Sequence, residues 1–144
     1  GDASGGFLFP ALHRAGFANQ ALTESRGDGL TLKDLYITSS GRCAPPDNKP
    51  SPEELNTCQL FLEREIQILK PKVIVCLGRI AFERILKIYS IRNYGWKFAH
   101  GAVFELPSSA LLCSYHPSQQ NTLTGKLTVK MFDDIWKKAK SLVE

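Results

Sequence analysis

The chain has 144 residues, 43% of them hydrophobic and 22% charged, enough apolar material for one globular domain with a sizeable core and too much for a disordered or fibrous polypeptide. Neither an apolar run of bilayer length nor a basic-then-apolar leader pattern is visible in it, so the expectation is a soluble protein of the cytoplasm or nucleus. The net charge of +4 favours polyanionic partners without requiring one. Because the chain opens on "GDASGG" rather than on Met, upstream sequence is expected in the complete protein.

In chain order, "FLFPALHRAG" spaces Phe7, Leu8, Ala11, Leu12 and Ala15 as one helical face, with Gly16 as its stop. Pro10 must then lie early in that helix or kink it. "RGDGLTLKD" is a turn cluster before "LYITSS", which reads as a strand. The proline-rich "GRCAPPDNKP" can be neither regular element. At "SPEE" a helix begins: Ser51 can cap it, Pro52 suits its first position and Glu54 completes a capping box. Leu55, Cys58, Leu62, Ile66 and Leu69 then mark its core face up to "KPK".

"VIVCLG" reads as a strand buried on both faces, as in a parallel sheet, and Gly78 turns it into the helix "RIAFERILKIYS". The stretch "NYGWKFAHGAVFELPSS" is irregular, with an edge strand at Ala102 to Leu106, and "ALLCSY" is a second buried strand. The last helix carries Val129, Phe132, Ile135, Trp136, Ala139 and Leu142 on one face; Lys126, Lys130, Lys137, Lys138 and Lys140 make the end of the chain denser in positive charge, much of it on the wet face of that helix. Strands alternating with helices give an α/β domain, residues 1–144, with a mostly parallel sheet. Ligands of such sheets gather beyond the carboxyl ends of the strands, where "TSSGRCAPP" and "YHPSQQN" are the longest polar segments.

Several chemistries are excluded. No GxGxxG follows a strand, no GxxxxGK[ST] exists and no GxSxG elbow is present, which removes dinucleotide dehydrogenases, P-loop enzymes and serine hydrolases of the elbow type. Cys76 and Cys113 sit inside apolar strands as inert core thiols. Cys43 and Cys58 lie in a loop and on a helix; two thiolates do not complete a zinc or iron–sulfur site. His13 and His100 read as solvated. His116, at a strand end and followed by Pro117, reads on its own as an ordinary surface-turn histidine, a hydrogen-bond donor held in place by the proline being the alternative.

"RCAPPDNKPSPEELNTCQLFLEREIQILKPKVIVCLG" together with "SYHPSQQNTLTG" resembles the uracil-DNA glycosylase superfamily, closest to its family 5 (type b) and next to family 4. The resemblance runs over nearly the whole chain. Ser39, where family 4 has Asn, and Gln119-Gln120-Asn121 after His-Pro-Ser favour family 5. It implies a three-layer α/β/α sandwich around a four-stranded sheet whose first strand, with its Gly-Leu-Ala-Pro-Ala motif, is not found in this chain. It also implies a monomeric, monofunctional DNA repair enzyme that flips uracil out of DNA and hydrolyses the N-glycosidic bond with water, other deaminated bases being further candidate substrates. By resemblance, His116 donates to the departing base, stabilising its negative charge, and Asp2 is the carboxylate near the scissile bond. Pro117 and Ser118 shape the loop, and Gln119, Gln120 and Asn121 enter the minor groove or fill the gap left by extrusion. Cys43 and Cys58 match the third and fourth ligands of a [4Fe–4S] cluster whose other two come from an upstream CxxC-type segment that this chain lacks. Arg42, Asn48 and Lys49 lie beside the implied site and suit phosphate contact. Tyr115 and Trp96 are aromatic candidates with no assigned role. A catalytically inactive DNA-binding module of the same fold, or an unrelated α/β enzyme acting on nucleotides, are the competing readings.

Overall fold

The structure is a computed structural model describing residues 3–22, 27–38, 51–91 and 95–144. Its elements are α1 (Ala3–Ala15), α2 (Pro52–Leu69), β1 (Val73–Leu77), α3 (Arg79–Ile88), β2 (Val103–Glu105), β3 (Ala110–Ser114), α4 (Gln119–Leu123) and α5 (Val129–Val143). They form two compact units, one of Gly1–Tyr36 with Ser114–Glu144 and one of Ile37–Cys113.

The sheet has the order β1-β3-β2. The Ala110 N–H donates to the Lys72 carbonyl across 2.9 Å, which joins the beginnings of β1 and β3 and sets them parallel. β2 closes the other side antiparallel, with Phe104 opposite Leu111. Leu111, Leu112 and Cys113 have no solvent exposure, as expected of a central strand covered on both faces. Gly78, at φ 99°, makes the turn out of β1 that a side chain would strain. α3 then buries Phe82, Ile85 and Leu86 in a cluster with Leu62 of α2, Cys76 and Leu106. A buried Arg84 ties the two helices, its Nη1 donating to Gln59 Oε1 across 2.7 Å. The mixed α/β architecture with parallel pairing agrees with the three-layer α/β/α class.

In the other unit α1 and α5 pack around Phe132, which is fully buried and meets Phe7 at 5.3 Å and Trp136 at 5.6 Å between ring centroids. Phe17 adds an edge contact to Trp136. Across the same helix pair the Arg14 guanidinium forks onto Asp133 at 2.9 and 3.0 Å. Lys140 Nζ donates to the Ala15 carbonyl at 3.0 Å, placing a cation at the negative end of α1.

Several expectations need correction. α1 begins at Ala3, so Pro10 is interior to it. The ring of Pro10 removes one helical N–H and crowds the carbonyl four residues back, that of Gly6. Residues 35–38 of the expected strand "LYITSS" are irregular and belong to no described strand, with Tyr36 and Ile37 exposed; Ser39 and Ser40 lie outside the described residues. β1 is half-buried except at Cys76, having only β3 beside it among the described strands. Leu69 is 47% exposed because it lies on the last turn of α2, and Val129 and Leu142 are exposed for the same reason at the two ends of α5. His13 is exposed, as expected, and its Nδ1 also lies 3.1 Å from the Ala18 carbonyl. His100 is half-buried. Trp96 stacks on Phe104 at 4.7 Å, which places it against the core. No helix among the described residues is long and apolar enough to cross a membrane.

Candidate active site

The expected donor loop continues directly from β3. Ser114 is fully buried and its Oγ donates to the Tyr115 carbonyl at 2.8 Å. Tyr115 is half-buried, His116 is exposed, and Pro117 is again fully buried. The chain thus presents the imidazole between two buried anchors, one of which has its φ fixed by a ring.

After Pro117 the chain enters the five-residue helix α4, where the sequence suggests only loop. Its start is set by Ser118, in extended conformation, whose Oγ accepts from the Asn121 N–H at 3.2 Å, the arrangement that satisfies an otherwise unpaired N–H of a first helical turn. The Thr122 N–H donates to the Ser118 carbonyl at 2.9 Å. Asn121 also reaches backwards, its Nδ2 donating to the His116 carbonyl at 2.9 Å. The loop is therefore closed on itself from both ends. Beyond α4, the Leu127 N–H donates to the Asn121 carbonyl at 3.0 Å and the Leu127 side chain is buried. Gly125, at φ 80°, makes the turn between them. Lys126 projects its ammonium over the Tyr115 ring, 4.8 Å from the centroid.

Of the residues expected at the site, the described region brings together His116, Pro117, Ser118 and Asn121, with Gln119 and Gln120 exposed on α4. Asp2, Ser39, Arg42, Cys43, Asn48 and Lys49 lie outside the described residues. Cys58 is on α2 with 1% exposure, and no group of three or more His, Cys, Asp or Glu side chains able to hold a metal occurs among the described residues. Cys76 and Cys113 are poor nucleophiles. Burial pushes the Cys113 thiol up from 9.0 to about 11, and burial together with the neighbouring Cys113 raises Cys76 further. Sequence reasoning missed α4 and the Tyr115–Lys126 contact; the Ser-x-x-Asn spacing after Pro117 is the one sign of the helix that the letters carry.

Residues 1–140 match the family model of the uracil DNA glycosylase superfamily. The chain belongs to that superfamily. It is 47% identical over 144 residues to the type-5 uracil-DNA glycosylase of Thermus thermophilus, covering 99% of this chain and 65% of that protein. Against the type-5 enzyme of Pyrobaculum aerophilum the identity is 38%, over 96% of this chain and 61% of the relative. A type-4 uracil-DNA glycosylase of Archaeoglobus fulgidus matches at 35% over 72% of this chain and 55% of its own length. The chain thus spans somewhat less than two thirds of each of these relatives, and within the superfamily its likeness runs to type 5 first and type 4 next.

Proposed function

We propose that this chain carries the base-releasing machinery of a DNA repair glycosylase, a hydrolase that flips uracil out of DNA and cleaves its N-glycosidic bond. The observation that supports this best is the exposed His116 imidazole, held between buried Ser114 and Pro117 and tied through its carbonyl to Asn121. As the bond from the sugar C1′ to the base nitrogen breaks, the electron pair leaves with uracil and positive charge is left on the sugar. A donor aimed at the base oxygen lowers that barrier only if it is already in place, since a fixed dipole needs no reorganisation. His116 is that donor. Water then adds to C1′ and gives up a proton, so no covalent link to the protein forms. Asp2 is the carboxylate proposed to orient that water.

Gln119 and Gln120, exposed on α4, are proposed to enter the minor groove or fill the gap left by extrusion, and Ser39, Arg42 and Asn48 are proposed as further DNA contacts. The protein acts as a monomer in the cytoplasm. Cys43 and Cys58 are proposed as two of four ligands to a [4Fe–4S] cluster, but the described residues do not by themselves fit one: Cys58 belongs to no group of three or more candidate donors there. No step of the reaction is routed through a cluster.

The test is chromatographic detection of free uracil after incubating the chain with a uracil-containing duplex and, separately, with the free nucleoside. Release from the duplex alone is expected. Release from the nucleoside would point to a nucleotide-metabolising enzyme, and DNA binding without release to an inactive module.

A further inference from the structure

The cations of the first unit are unequal. Arg14 is spent on Asp133 at 2.9 Å, Lys130 pairs with Asp134 at 3.6 Å, and Lys140 is bound to the Ala15 carbonyl and lies over the Phe17 ring. Lys126 is different. It is exposed, no carboxylate pairs with it among the described residues, and its ammonium rests on the face of Tyr115, the residue immediately before His116. Its backbone is fixed as well, between the Gly125 turn and buried Leu127, whose N–H is bound to the Asn121 carbonyl. A cation held on an aromatic face gives up some of the rotamer freedom that a lysine must lose on contact.

From this we infer that Lys126 is a backbone-phosphate contact of the DNA that enters the His116 loop, and that Tyr115 is the positioning residue that aims it. The assignment rests on the glycosylase reading of that loop. An ammonium that pairs with no carboxylate among the described residues, beside a loop that receives a polyanion, is neutralised by that polyanion, with release of its counterions. It carries no base preference. Because the ring face of Tyr115 is taken by the lysine, Tyr115 is not a stacking platform for a base on that side.

The experiment measures dissociation constants for a uracil-containing duplex, between about 50 and 200 mM salt, on a His116→Ala background that suppresses turnover. Lys126→Met keeps the aliphatic packing and removes the charge; its slope of log affinity against log salt should be shallower by about 0.9. Over that fourfold salt range the parent loses about 3.5-fold more affinity than Lys126→Met. Lys126→Arg should retain the parent slope. Tyr115→Leu keeps the charge but frees it, so its affinity should fall with the slope unchanged, a signature that lost packing alone does not give. An unchanged slope in Lys126→Met, with duplex binding intact, overturns the assignment of Lys126. A Tyr115→Leu chain that binds like its parent overturns the positioning role. Failure of the parent itself to bind the duplex overturns the glycosylase reading and the phosphate contact with it.

Discussion

Replacing Asn121 with Ala removes one hydrogen bond, the 2.9 Å contact from Nδ2 to the His116 carbonyl, while leaving the bond from its own N–H to Ser118 Oγ available. A bond of this kind contributes about 0.5–1.5 kcal/mol. Ala is the better helix former by up to about 0.7 kcal/mol, so the net loss of stability is below about 1 kcal/mol and the melting temperature moves by no more than about 4 °C. The effect on chemistry is larger, because His116 loses the tie that fixes its backbone and a misplacement of about 1 Å can cost about 100-fold. We expect kcat for uracil release to fall about tenfold or more with KM little changed, the pattern of an interaction that acts in the transition state. Asn121→Asp should be equally impaired, since a carboxylate has no N–H to donate. Steady-state release kinetics beside a thermal melt check this. A raised KM with kcat intact would rule out a positioning role and return Asn121 to direct contact with DNA.

Two further outcomes concern the scaffold. Phe132→Ala empties the centre of the Phe7–Phe132–Trp136 cluster and should cost about 3–5 kcal/mol, read from chemical denaturation. The buried thiols give a pH dependence: Cys113 titrates from 9.0 to about 11 on folding, so between those values the folded chain holds a proton that the unfolded chain has lost. Stability from this source is fully present below about pH 9 and declines as pH rises through 11, and Cys113→Ala should flatten that decline in denaturation curves taken across the range.

The helical pattern was legible where apolar spacing was regular. Phe132, Ile135, Trp136 and Ala139 are the buried face of α5, and Phe82, Ile85 and Leu86 that of α3. The apolar run Leu111–Cys113 similarly announced a covered strand. "LYIT", residues 35–38, was misleading because β-branched and aromatic composition supplies strand propensity while burial and packing decide whether a strand forms, and this stretch, exposed at Tyr36 and Ile37, belongs to no described strand. Pro10, expected early in its helix or at a kink, lies inside α1 because that helix begins at Ala3, upstream of the apolar spacing that marked it. In the candidate loop after β3, the three amides that follow His-Pro-Ser looked alike as letters. Only the geometry separates Asn121, turned back onto His116, from Gln119 and Gln120, which face solvent. The Lys126–Tyr115 pairing spans eleven positions with no helical or strand period between them, so spacing could not have indicated it.

Whether His116 is the donor that drives base release is decided by alkaline strand scission of a labelled duplex containing one uracil, after incubation with the unaltered chain and with His116→Ala. The unaltered chain should produce scission, and the variant should do so at a rate at least about 100-fold lower, the scale on which loss of one preorganised donor is felt. Equal scission by both would remove His116 from the chemistry, and no scission by either would contradict the assignment of base-releasing activity to these residues.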